Sequence, residues 1–274
     1  MKTVMLYVAE DPGLEARCAA ILTVVQALGA HLTCVQATPL SAFVLTDPFG
    51  GVHPSIDLLS QLEKQQDATR ARVDSQFVQA GIHASWVREE GLPARVLLDH
   101  SRLKDLLVLS HGSDDERWNQ SLELVGDLAG HCRSPVLSVP HTSSKLNLSG
   151  NAAIGWNGSF EAAQAVRLAV PLLRLASKVQ VLTVTEGDVT ADDRAAPASD
   201  AVAYLSQHGV PSEILELQRG SHSVSERLLQ AWQETNAGYA VLGAYGHSRI
   251  RERILGGVTR DMLLRSPVPL LLAH

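Results

Sequence analysis

The 274 residues allow one large domain or two of middling size, and 45% apolar with 19% charged residues is the balance of a folding chain rather than a disordered one. A net charge of −6 gives no electrostatic footprint for a polyanion, so a nucleic-acid partner is disfavoured. The opening MKTVMLYVAEDPG breaks its apolar run at Glu10-Asp11, too early for a signal-peptide core or a bilayer span, which points to a soluble cytoplasmic protein without a membrane partner.

Short β-branched and apolar runs alternate with helix-length amphipathic stretches, the pattern of a parallel sheet with crossover helices. In chain order the first half places strands at Thr3–Val8, His31–Gln36, Ile82–Val87, Leu106–Ser110 and Val136–Val139, with helices near Gly13–Leu28, Ser55–Gln79, Leu92–Ser101 and Leu122–Cys132. The segment Ala37–Pro54, with three prolines and a Gly-Gly pair, reads as a long loop, a surface insertion or a lid. Cys18, Cys34 and Cys132 are odd in number and widely spaced, so they read as reduced core residues rather than a disulfide framework or a metal site.

The polar stretch His141–Asn151 has the composition of a linker, and beyond it the order repeats. Strands fall near Ala152–Gly155, Val179–Val184, Ser212–Leu217, Ala240–Gly243 and Leu270–Ala273, with helices near Ser159–Leu175, Pro197–His208, Ser221–Thr235 and Ile250–Arg265. Two local echoes mark an internal duplication: Gln79-Ala80-Gly81-Ile82 against Gln207-His208-Gly209-Val210, and Ser134-Pro135-Val136 against Ser266-Pro267-Val268. The domain boundary therefore falls at 1–145 and 146–274. The closing strands Val136–Val139 and Leu270–Ala273 would be bare edges in separate copies, and antiparallel pairing about a pseudo-two-fold axis would bury both.

The strongest chemical signal is Ala240–Thr259, AVLGAYGHSRIRERILGGVT: a buried-type strand, a glycine-bracketed turn, then a helix. Gly243 and Gly246 let the backbone turn with its N–H groups outward, Gly256 and Gly257 let a second stretch approach a ligand, and a helix N-terminus favours an anion. On spacing alone, phosphate binding and a plain turn are equally good readings. Val108–Glu123 occupies the same place in the first half with one glycine, and Asp114-Asp115-Glu116 there would repel a polyphosphate.

Gly243-Ala-Tyr-Gly246, nine residues, then Gly256 resembles the G-x-x-G motif of the ATP-binding universal stress proteins, and Pro269-Leu-Leu-Leu-Ala273 is similar to that family's closing strand, with Pro135-Val-Leu-Ser-Val139 as its counterpart in the first half. The resemblance covers both halves. It implies two tandem five-stranded α/β sandwich domains of the Rossmann-like, adenine-nucleotide-binding type, packed as an intramolecular pseudo-dimer, with homodimerisation and a protein partner left open. It implies ATP, with Mg²⁺, in the second half only, at Asn157, Val184, Gly243, Gly246, His247, Ser248, Arg249, Gly256, Gly257, Val258 and Thr259.

Two departures stand out. The family's motif hydroxyl position is Gly257 here, with Thr259 two residues on as a candidate replacement or a helix cap. The family's Asp after the first strand is Asn157, which keeps an acceptor but serves equally as an Asn-Gly turn residue or a cap. Of Arg249, Arg251 and Arg253, alternate residues cannot all face one side of a helix. His111, His131 and His222 form no motif with a nucleophile or base, so the expected function is a nucleotide-binding stress-response module with at most slow ATPase activity. The alternative is a nucleotide-independent interaction scaffold of the same fold.

Overall fold

The structure is a computed structural model that describes residues 1–39, 44–46, 52–54, 56–112, 116–143, 146–185, 195–244 and 257–274; side chains of 44–46, 52–54, 56 and 116–120 are outside the description. Strands β1 (Thr3–Tyr7), β2 (His31–Thr38), β5 (Ala84–Glu90), β6 (Leu106–His111) and β7 (Val136–Pro140) come from the first half. Strands β8 (Asn151–Gly155), β9 (Lys178–Thr185), β10 (Ser212–Gln218), β11 (Ala237–Gly243) and β12 (Leu270–Ala273) come from the second. All ten join in one sheet ordered β10-β9-β8-β11-β12-β7-β6-β1-β2-β5.

Every pairing in this sheet is parallel except one. β12 and β7 run antiparallel, Leu271 opposite Leu137 and Leu272 opposite Val136. The two closing strands thus meet as expected, and the halves form an intramolecular pseudo-dimer. The reason is visible in the side chains: Val136, Leu137, Leu270, Leu271 and Leu272 are all fully buried, and two apolar edges cover each other's backbone groups. The outer edges β5 and β10 carry Arg88, Glu89, Glu90, Glu213 and Glu216 instead, charges that discourage further pairing.

Helices cover both faces. α1 (Leu14–Leu28), α2 (Ile56–Gln79), α5 (Phe160–Leu173) and α6 (Ala198–Gln207) bury one face, where Val4, Leu6, Val181, Val241 and Leu271 meet Ile21, Phe77, Ala169 and Leu205. α3 (Pro93–Ser101), α4 (Glu116–His131), α7 (Val224–Glu234) and α8 (Gly257–Arg265) bury the other, where Met5, Leu107, Leu182 and Leu270 meet Leu97, Leu128, Trp232 and Leu263. Burial on both faces is why the central strands read as unbroken apolar runs.

Several expectations are corrected. Ala37–Pro54 is not all loop: β2 continues through Thr38, and β3 (Val44–Thr46) pairs antiparallel with β4 (Val52–Pro54). α4 begins at Glu116, six residues before the expected start at Leu122. The linker does more than cross: Leu146 and Leu148 are buried, and the Asn147 side chain accepts from the Gly150 amide at 2.9 Å.

The first echo is in structural register, for Ile82 and Val210 each donate to a carbonyl five residues back, Phe77 and Leu205. The second is out by two residues, because Leu107 donates to the Pro135 carbonyl where Ala240 donates to that of Pro269. Pro269 is therefore the counterpart of Pro135, as the likeness of Pro135–Val139 to the closing strand Pro269–Ala273 implies and the Ser-Pro-Val echo does not. Strand register is set by these bonds, and a matching Ser-Pro-Val string has no power over it.

Candidate functional site

In each half the strand order reverses beside the first strand, between β1 and β6 and between β8 and β11. Open α/β sheets bind ligands in the crevice beyond the carboxyl ends of the strands at such a point. Every crossover helix starts at this edge, so its free N–H groups and positive dipole end lie there too.

In the second half, β11 ends at Gly243 against the first turn of α5. A Cβ on Gly243 would lie 2.5 Å from the Ala162 nitrogen and 2.6 Å from the Glu161 carbonyl carbon, so only glycine lets the two backbones come this close. α5 is capped by Ser159, whose Oγ accepts from the Ala162 amide at 3.1 Å. Asn157, exposed, precedes it, and its Oδ1 accepts from the Ser159 amide at 3.2 Å. The turn is fixed further by Trp156, which is buried and donates from Nε1 to the Ala196 carbonyl at 2.9 Å.

Val184 lies near the end of β9 opposite Leu217, partly buried on the face covered by α3, α4, α7 and α8, with Leu217 and Leu215. Gly257 opens α8, and a Cβ there would meet nothing within 4 Å. Val258 is 39% exposed, whereas Thr259 is buried. Gly246, His247, Ser248, Arg249 and Gly256 fall outside the described residues, as do Arg251 and Arg253. The described site residues thus lie at the carboxyl ends of three neighbouring strands, Asn157 just after β8, Gly243 at the end of β11 and Val184 near the end of β9.

The first half fills the same place differently. β6 has Ser110, one residue before its end, where β11 has Gly243, and the Ser110 hydroxyl donates to the Gly13 carbonyl at 3.1 Å and accepts from Arg17 at 3.0 Å. Here the compensating glycine is on the helix side, since a Cβ on Gly13 would meet Ser110 Oγ at 2.6 Å. Asp114 and Asp115 are outside the described residues, and Glu116 opens α4.

The histidines occupy separate places. His111 is buried at the seam, its ring within 2.9 Å of Ser138 Oγ and 3.4 Å of the Ser266 carbonyl from the other half. Burial, with His141 nearby, pushes its pKa down to about 4, so it is neutral at pH 7. His131 bonds the Asp127 carbonyl of its own helix, and His222 stands 4.0 Å from Glu226. Among the described residues no group of three or more His, Cys, Asp or Glu side chains is placed to hold a metal ion, and no helix is long and apolar enough to cross a membrane.

No protein-family model matches the chain, and no curated protein matches it. Solved structures do. A universal stress protein from Archaeoglobus fulgidus DSM 4304 aligns over 99% of this chain and 95% of its own, at 17% identity and a TM-score of 0.75. A functionally unknown protein from Pseudomonas aeruginosa PAO1 aligns over 99% and 92%, at 14% identity and 0.58. The chain has the fold of the universal stress proteins, Rossmann-like α/β, in its tandem form.

Proposed function

We propose that the second half binds an adenine nucleotide, ATP with Mg²⁺, at the crevice between β8 and β11, and that the chain acts as a cytoplasmic stress-response or regulatory module, at most a slow ATPase. The observation that carries the reading is Gly243. It draws the end of β11 against the capped start of α5, where backbone N–H groups and a helix N-terminus favour phosphate. The space beside Gly257 leaves α8's first turn open to the same ligand. Asn157 offers its carboxamide to a ribose hydroxyl or base edge, and Gly246 to Arg249 with Gly256 would supply the rest of the phosphate cradle.

The group fits the residues present, with two reductions. Gly257 supplies no hydroxyl, and the Asn157 oxygen already accepts from Ser159. These same two facts favour the second reading, an interaction scaffold that has kept the fold and lost the ligand.

Calorimetric titration of the full chain with ATP and Mg²⁺ decides between them. One site per chain is expected. Two equal sites, or no heat with ATP at millimolar concentration, overturns the reading.

A further inference from the structure

The turn that carries Asn157 is tied to one neighbouring residue from both sides. Trp156, just before Asn157, donates from Nε1 to the Ala196 carbonyl at 2.9 Å, and Gly158, just after it, accepts at its carbonyl from the Ala196 amide at 3.1 Å. The amide and the carbonyl of Ala196 thus hold the two residues that flank Asn157. Gly158 makes the approach possible. Its φ is +72°, and a Cβ there would stand 2.6 Å from the Ala196 oxygen and 2.7 Å from its nitrogen.

Ala195–Pro197 leads straight into α6, with Pro197 as the N-cap in extended backbone. Ala195 and Ala196 are half-buried and Pro197 is exposed. Such side chains bury little apolar area, which leaves the two hydrogen bonds to carry much of the attachment.

The first half ties the same turn by other means. Val8 donates to the Val35 carbonyl at 2.8 Å as Trp156 does to that of Leu182 at 2.8 Å, which sets Val8 against Trp156 and, two residues on, Glu10 against Gly158. The Val8 side chain has no N–H to offer. Glu10 accepts instead from Thr69 of α2 at 2.6 Å and pairs with Arg72 at 2.9 Å. Among the described residues, the backbone clamp on this turn belongs to the half that carries Asn157.

We propose that Ala195–Pro197 is a strap that sets ligand affinity in the second half, with Trp156 as a positioning residue that holds, through Ala196, the turn from which Asn157 presents its carboxamide. This rests on the nucleotide reading and adds to it the segment through which that site is regulated. A turn held in one shape beforehand costs less to order on binding. Linkage makes the effect mutual: loosening the strap weakens the ligand, and the ligand holds the strap.

The test is a double-mutant cycle in the full chain, read by calorimetry with ATP and Mg²⁺. Trp156→Phe keeps an aromatic ring and removes the N–H donor, and it should weaken ATP about fivefold, the worth of one hydrogen bond. In an Asn157→Ala background the same change should weaken ATP by less than about twofold, because the strap acts through Asn157. Equal losses in both backgrounds mark a tryptophan that only supports the fold and overturn the proposal, as does wild-type affinity in Trp156→Phe. In the wild type, ATP should slow amide exchange at Ala196 by at least about fivefold, read by mass spectrometry on the peptide that contains it. Unchanged exchange with ATP bound overturns the proposal. Should Trp156→Phe fail to fold, or Asn157→Ala fail to bind, the exchange result decides. No ATP binding by the wild type overturns the nucleotide reading and this inference with it, whereas each other failure leaves the nucleotide reading standing.

Discussion

The α-carbon of Gly243 faces the backbone of Ala162 so closely that an added Cβ would stand 2.5 Å from that residue's nitrogen. The neighbour is helix backbone, which cannot rotate away. Gly243→Ala should therefore destabilise the chain by about 1–3 kcal/mol, as overpacking does, and urea unfolding at pH 7 measures it. A change within error would mean that α5 shifts freely, and the tight throat would no longer support a site there.

In the proposed function Gly246 and Gly256 would bring backbone to phosphate. Gly246→Val and Gly256→Val should each weaken ATP binding by tenfold or more, about 1.4 kcal/mol, with far-UV circular dichroism unchanged. Wild-type affinity in either variant would place the ligand elsewhere.

His111 links the seam to pH. Its pKa falls from 6.5 to about 4 on folding, so the folded chain resists a proton that the unfolded chain takes up. That stability is complete above pH 6.5 and is lost as the pH falls from there toward 4, amounting to about 2 kcal/mol at pH 5. Urea midpoints at pH 7 and pH 5 should differ more for the wild type than for His111→Gln, and equal differences would refute this.

The antiparallel pair β7 and β12 hides two edges that separate halves would expose. Fragments 1–145 and 146–274 should therefore self-associate or aggregate at micromolar concentration, read by light scattering. Two well-behaved monomers would show that the seam is dispensable.

All three cysteines are buried, and burial pushes the Cys18 thiol up to about 12 and raises Cys34 and Cys132 as well. An aromatic disulfide reagent at pH 8 should find essentially no thiolate in the native chain and three in urea. Rapid reaction of even one in the native state would contradict the packing.

Much of the fold is written locally. Runs such as Leu106–Ser110 and Leu270–Ala273 are apolar throughout because both faces of those strands are buried, and that signal needs no knowledge of partners. The repeated element order gave the duplication, and the apolar closing strands gave their mutual pairing. The glycine spacing from Gly243 to Gly256 is an equally local signal, and of it the structure describes Gly243, where only glycine fits against α5.

What sequence could not settle depends on residues that are far apart in the chain. Arg17 meets Ser110 across 93 positions, and Gln66 meets Ala37 across 29. Neither carries a motif, and nothing next to Arg17 in α1 signals its bonds to Tyr7, Ala9, Asp11 and Ser110. A signal did exist in the comparison of halves, where Ser110 stands against Gly243. Two local readings gave different registers, the closing strands matching Pro135 with Pro269 and the echo matching it with Pro267, and the backbone hydrogen bonds decided for the first. Local patterns fixed which segments are strands and helices, because burial imposes its period on neighbouring residues. Which distant side chains meet at the strand ends, as Arg17 and Ser110 do, was decided only when the sheet assembled.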